Sequence, residues 1–184
     1  MSAPGVRISG GELKGSRLKV PPGVRPTGQR VREALCSRWQ VRLPGATVLD
    51  LFAGSGAVGL EAASRGASGV MLIEADPRVY QELTTAAARL APETTRTRRA
   101  RLPEELSRIA GDATFDLVFA DPPYAFADWD ALLEAIAAVF APSGEVVIEH
   151  SRRVALPQRV AHLGWESTRP YGDAALSFYR EMTT

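Results

Sequence analysis

Val48-Leu49-Asp50-Leu51-Phe52-Ala53-Gly54-Ser55-Gly56 is the stretch whose reading decides the fold. Its first half is an apolar run of strand length and its second half is a turn. Gly54 and Gly56 let the backbone turn tightly and approach a ligand closely. Ala57 to Arg65 then reads as a helix that Gly66 stops. A strand that turns through glycines into a helix is the opening unit of a wound α/β sheet. In such sheets ligands bind beyond the carboxyl ends of the strands, near the point where strand order reverses.

Downstream the alternation continues. Gly69–Glu74 is predicted as the second strand and Pro77–Leu90 as a helix with proline in its first turn. Thr94–Ala100 reads as a strand, Pro103 to Ile109 as a helix, Asp116–Ala120 as a strand, Trp129–Phe140 as a helix and Glu145–Glu149 as a strand. Gly164–Arg169 and Ala174–Arg180 form a closing hairpin about Tyr171-Gly172-Asp173. Upstream, Arg7-Ile8-Ser9 and Arg17–Val20 read as a short hairpin. Thr27 is placed as the cap of a helix running to about Val41, with Val31, Leu35 and Trp39 on one face. The expected fold class is α/β: a doubly wound, mostly parallel seven-stranded sheet, a C-terminal antiparallel hairpin strand and a small N-terminal extension.

With 184 residues, 45% of them hydrophobic, and a mean hydropathy of −0.08, the chain reads as a soluble globular protein. Met1 to Arg7 has no apolar core of a signal peptide, and the longest apolar segment, around Leu132 to Ala141, is too short to span a bilayer. A cytoplasmic protein without membrane contact is expected. Cys36 is alone and the two histidines, His150 and His162, are isolated, so no metal site is expected. The net charge of +1 hides an asymmetry: residues 1–42 carry nine basic against two acidic side chains, a balance of +7, and the remainder carries −6. A basic arm on an acidic body fits a polyanionic partner, although a solvated face of charges has the same composition.

Two ligands compete for the glycine loop. Gly54, Gly56 and Gly59, with Glu74 18 residues beyond Gly56, fit a dinucleotide fingerprint. Asp50 separates the readings, because a carboxylate just before the loop suits an ammonium group and not a pyrophosphate. S-adenosylmethionine carries that ammonium together with a ribose, whose hydroxyls Glu74 can accept. Asp50, Phe52, Ala53, Gly54, Gly56, Glu74 and Ala75 are the candidate cofactor residues.

Asp121-Pro122-Pro123-Tyr124 closes the run Phe115–Ala120. Two prolines lack N–H groups and fix φ, so strand and helix both stop there and carbonyls are left to accept hydrogen bonds. The Asp121 carboxylate beside the Tyr124 ring can hold a planar amine such as an exocyclic base nitrogen. The tetrapeptide alone does not choose among guanine, adenine, cytosine and glutamine.

Together, the glycine loop and this turn resemble the class I S-adenosylmethionine-dependent methyltransferases that modify exocyclic amines. Gly10-Gly11-x-Leu13-Lys14-Gly15, Arg25-Pro26-Thr27-x-x-Arg30-Val31-Arg32-Glu33-Ala34-Leu35, Leu51 to Ala62 and Tyr171-Gly172-Asp173-x-x-Leu176 narrow this to a resemblance to the RsmD family. The resemblance implies methylation of N2 of a guanine, guanine 966, in bacterial 16S ribosomal RNA of the small ribosomal subunit, by a monomer. It implies a basic extension, residues 1–42, that binds RNA, and a methyltransferase domain, residues 43–184. Asp121 and the Pro122 carbonyl would hold the amine, with Pro123 and Tyr124 against the base. Arg25, Thr27, Arg30 and Arg32 would touch RNA. Gln29 stands where the family usually has an acid, and Arg98 to Leu102 offers no acid for the adenine amine. Arg96, Arg98, Arg99 and Arg101 read as protection of an edge strand. A DNA amino-methyltransferase, a protein glutamine methyltransferase and a non-catalytic ribosome-assembly factor are the rival readings.

Overall fold

The computed structural model describes residues 5–24 and 26–182. Its main sheet has eight strands in the order β5-β4-β3-β6-β7-β10-β9-β8. The strands are β3 (Thr47–Leu51), β4 (Gly69–Glu74), β5 (Thr95–Arg99), β6 (Phe115–Ala120), β7 (Phe140–Ser151), β8 (Arg159–Val160), β9 (Leu163–Tyr171) and β10 (Ala174–Glu181). β5, β4, β3, β6 and β7 run parallel, and β10 joins β7 antiparallel. A separate hairpin pairs β1 (Gly5–Arg7) with β2 (Arg17–Lys19). The sheet thus has one strand more than expected. The addition is the two-residue β8, too short to leave a period-2 pattern in the sequence.

The parallel strands are buried on both faces, which is why they read as nearly continuous apolar runs. One face is covered by α1 (Gln29–Trp39), α2 (Ala57–Ser64) and α3 (Pro77–Leu90), whose Leu35, Leu60 and Leu83 pack with Val48, Leu72 and Phe119. The other face is covered by α4 (Leu106–Ala110) and α5 (Trp129–Ala137), whose Leu106, Leu133 and Ile136 pack with Leu49, Val118 and Ile148. Order reverses between β3 and β6: the chain first steps outward to β4 and β5, then returns to the other side of β3. The carboxyl ends of β3 and β6 are therefore where a ligand cleft opens.

Several boundaries moved. Gly28, not Thr27, precedes α1, with no side-chain cap. The α5 helix ends at Ala137, because Phe140 already pairs with Phe115 in the sheet. α4 begins at Leu106 rather than Pro103.

The N-terminal hairpin shares the main core, with Ile8 and Leu18 buried in the same cluster as Leu60. Its loop is held by the second half of α2. The Glu61 carboxylate, fully buried, accepts from the Ser9 and Gly10 N–H groups at 2.8 and 2.9 Å and from the Ser9 hydroxyl at 2.7 Å. Arg65 bonds the same carboxylate at 2.8 Å and Arg32 stands 3.6 Å from it. Gly11 lies so close to the helix that a Cβ there would sit 1.8 Å from the Ser64 carbonyl oxygen. The carboxyl end of α1 is fixed at the amino-terminal edge of the sheet. There Arg38, Trp39 and Arg180 all donate to the buried Glu145. None of the described helices is long and apolar enough to cross a membrane.

Candidate active site

A cavity of about 940 Å3 opens at the reversal point. Its floor is the glycine loop, Phe52 to Ser55. Gly56 begins α2 at φ +76°, a backbone strained for any other residue, and a Cβ there would meet Leu83 Cδ1 at 2.6 Å, so the Leu83 side chain would have to shift. Phe52 also has a positive φ, +59°, rare for a non-glycine residue, and is held there by an edge-on contact with Phe126 at 5.7 Å between ring centres. Val24, Pro26 and Thr27 from the loop before α1 form a roof.

Three strands deliver acids to this edge by register. Asp50, Glu74 and Asp121 end or nearly end β3, β4 and β6, in step with Phe119, Val48 and Leu72 on the α1–α3 face. Glu74 lines the cavity while its carboxylate accepts from the N–H groups of Gly54 (3.0 Å), Ala75 (2.8 Å) and Asp76 (2.9 Å). A carboxylate offers about four acceptor positions, so Glu74 keeps one for a ligand hydroxyl. Asp121 accepts from the Thr27 hydroxyl at 3.3 Å. Asp50 lies beneath the loop: it is 2% exposed and accepts from Gly59 N–H at 2.8 Å. Burial raises its pKa to about 7; the Gly59 bond lowers it, while the charges of Asp121 and Glu74 add to the rise.

The turn Asp121-Pro122-Pro123-Tyr124 forms the cavity wall opposite Glu74. Tyr124 is 74% exposed, a large aromatic face turned to solvent at the rim. A ring exposed in this way has a face free to stack on a planar partner.

The family model described as Conserved hypothetical protein 95 matches residues 6–180. The Bacillus subtilis protein YlbH is 31% identical over 189 residues, 96% of this chain and 99% of its own length. Ribosomal RNA small subunit methyltransferase D of Escherichia coli is 43% identical over 122 residues. The chain belongs to the RsmD family. The alignment with the Escherichia coli member spans 65% of this chain and 60% of that protein. The solved structure of the Escherichia coli protein yhhF superposes with a TM-score of 0.84 at 31% identity, over 97% of this chain and 98% of that one. The fold is that of the class I methyltransferases, as the RsmD resemblance implies.

Within this RsmD-family fold, Phe52, Ala53, Gly54, Glu74, Ala75, Asp121, Pro122, Pro123 and Tyr124 are brought together on one cavity. Asp50 and Gly56 are not on its surface; they support it from below. The arm residues separate. Thr27 joins the cavity roof. Arg30 is exposed on the first turn of α1. Arg32 is 6% exposed, donates to the Arg7 carbonyl at 3.1 Å and pairs with Glu61, so its guanidinium joins hairpin to helix rather than facing a solvent-borne polyanion. Arg25 lies outside the described residues.

Several cavity residues escaped the sequence reading, Glu104 among them. Glu104 lines the cavity beside Arg101 and Leu102, supplying an acid where the end of the arginine-rich β5 has none. Its signal was present: Pro103 diverts the chain after β5, so the acid arrives after the strand instead of at its end. β5 is the sheet edge, as the arginines there implied.

Proposed function

We propose that this protein is an S-adenosylmethionine-dependent 16S ribosomal RNA methyltransferase acting on the exocyclic N2 amine of a guanine in the small subunit. The observation that carries the reading is the Asp121–Tyr124 turn, which stands on the same cavity as the Gly54 loop and Glu74.

The donor set fits the cofactor. Glu74 and Glu104 suit a ribose hydroxyl and an adenine amine, and the buried Asp50 supports an edge suited to a cation. S-adenosylmethionine, when bound, supplies a methyl group activated by a sulfonium charge. The chain's own residues deal with the amine. A guanine N2 is a poor nucleophile because its lone pair is delocalised into the ring. Asp121 and the Pro122 carbonyl accept hydrogen bonds from its two N–H groups and favour a pyramidal nitrogen, whose lone pair is freed from the ring and points at the methyl group. Tyr124 stacks on the base, worth ~1–3 kcal/mol, and the roof residues Pro26 and Thr27 keep water out. Alignment of the two reactants supplies much of the rate. Transfer would form the N2–methyl bond as the methyl–sulfur bond breaks, releasing a neutral thioether, and the excess proton on the cationic N2 would pass to Asp121.

Arg30 and the exposed Arg7, Lys14 and Arg17 side form the phosphate-binding part of the arm. Among the described residues these have no ion-pair partner, unlike Arg32 and Arg38. The chain acts as a monomer in the cytoplasm on this reading.

The test is to incubate the purified protein with methyl-labelled S-adenosylmethionine and small subunits, naked 16S RNA, DNA or ribosomal protein. Label at one guanine N2 of the RNA supports the reading. Label on DNA or on a glutamine amide would transfer the site to those substrates, and no label with tight subunit binding would make the protein an assembly factor.

A further inference from the structure

Asp121 and Pro122 explain how an amine is held, but not why it should belong to guanine. The answer lies one strand away. β6 and β7 run parallel with Phe119 opposite Val147 and Ala120 opposite Ile148. One register step further, Asp121 and Glu149 stand side by side, on strands about 4.8 Å apart. Phe119 and Val147 belong to the same buried cluster, so the alternation of side chains puts both carboxylates on the same face. Glu149 is 5% exposed and lines a recess of about 40 Å3 that shares the whole Asp121–Tyr124 turn with the main cavity. Across this recess stand Asp173 and Ala174, the turn that enters β10. Glu149 does not line the cofactor cavity. The recess has room for the edge of a flat ring and not for a second cofactor.

We propose that Glu149 selects guanine by accepting its N1–H. This rests on the reading of the site as a base-amine methyltransferase. The chemistry of the candidate amines makes the choice. In guanine the ring atom next to the amine-bearing carbon on the Watson–Crick edge is N1, which carries a proton. In adenine the corresponding neighbour of the amine is N1 without a proton; in cytosine it is N3, also without one; in a glutamine side chain it is the amide oxygen. A carboxylate fixed beside the amine-holding Asp121 therefore attracts guanine and repels the lone pair of each of the other three. Specificity of this kind comes as much from repulsion of the wrong partner as from attraction of the right one. A flipped base is read along this edge. Glu149 is a specificity-determining residue for an amine that Asp121 holds.

The experiment uses small subunits reconstituted from ligated RNA that carries either guanine or 2-aminopurine at the methylated position. 2-Aminopurine keeps the 2-amine but has no proton on N1. Wild-type protein is expected to prefer guanine by roughly 10–10²-fold in kcat/KM, the range for a hydrogen bond to a charged group. Glu149→Gln, whose amide can donate to an unprotonated N1, is expected to bring that preference below about fivefold. Its S-adenosylmethionine affinity by calorimetry should stay within about twofold of wild type. Equal use of the two bases by wild type would overturn the assignment, and that arm does not depend on any variant folding. An equal loss on both bases in Glu149→Gln would make the residue structural and overturn it too. Loss of cofactor affinity would place Glu149 in the cofactor seat, against the proposal. If wild type labels no guanine at all, it is the base-methylation reading that fails, and with it this one.

Discussion

Glu61 and Asp50 are buried carboxylates in the same half of the molecule, and they are treated in opposite ways. Glu61 receives three hydrogen bonds from Ser9 and Gly10, a guanidinium from Arg65 and another from Arg32. Asp50, among the described residues, receives one N–H, from Gly59, and faces the charges of Asp121 and Glu74. The first arrangement is complete without any ligand. The second keeps a negative edge under-compensated, which favours a cationic ligand and costs stability until one arrives. The joint's carboxylate is satisfied in advance, although the Arg32 Nε beside it finds no partner among the described residues; the site's carboxylate is left wanting.

The sharpest way to break the comparison is to remove Glu61. Glu61→Ala strands Arg65 and the buried Arg32 without their anion, and it should destabilise the fold by about 3–5 kcal/mol. Urea unfolding measures this, and a loss below about 1 kcal/mol would mean the joint is ornamental. Asp121→Ala should show the reverse pattern: methyl transfer falls by roughly 10²–10⁴-fold in single-turnover assays while the melting temperature stays within a few degrees. Unchanged turnover would remove Asp121 from the mechanism.

Asp50→Asn sharpens the contrast at smaller amplitude. The folded pKa of Asp50 is raised, to about 7 from 3.8. A raised carboxyl binds more protons folded than unfolded, so its contribution is fully present below about pH 4 and is lost as pH climbs to about 7. Wild type should lose stability relative to Asp50→Asn across that window and run parallel to it above. Identical pH profiles would show that Asp50 ionises like a free carboxyl. Asparagine should also weaken cofactor binding above pH 7, where the charge it replaces is present. The smallest effect belongs to the arm. Arg30→Ala should flatten the salt dependence of RNA binding by about one unit or less, whereas a steep, unaltered slope would assign the phosphate contacts to other arginines.

How far the sequence could be read follows from the range of each signal. The β3 loop and the Asp121 turn announce themselves because glycine and proline constrain the backbone at their own positions. The alternation of strands and helices was equally legible, since each period repeats within about ten residues. Arg32 was not: its neighbours in sequence are the basic residues of an arm, and only the fold brings Glu61 beneath it. Glu149 was read as the last residue of a strand, and its role depends on standing beside Asp121, 28 residues away. Thr27 looked like a helix cap because hydroxyls often are, but its hydroxyl turns to Asp121 instead. The basic charge of residues 1–42 is not all available at the surface, because Arg32, Arg38 and Lys19 are paired with Glu61, Glu145 and Glu82.

Helix α2 begins at the glycine loop and ends at the hairpin joint, with Ala57 on the cavity and Ser64 against Gly10 and Leu13. Eight residues of helix make a rigid spacer about 12 Å long. The element that grips the hairpin is therefore the same one that shapes the cofactor floor, and no hinge lies between them. One extra residue in that spacer would swing the hairpin by about 100° around the helix axis, out of phase with the pocket it serves. If the hairpin binds RNA as proposed, the length of α2 acts as a ruler, fixing how far and at what bearing the polyanion must lie from the methyl group.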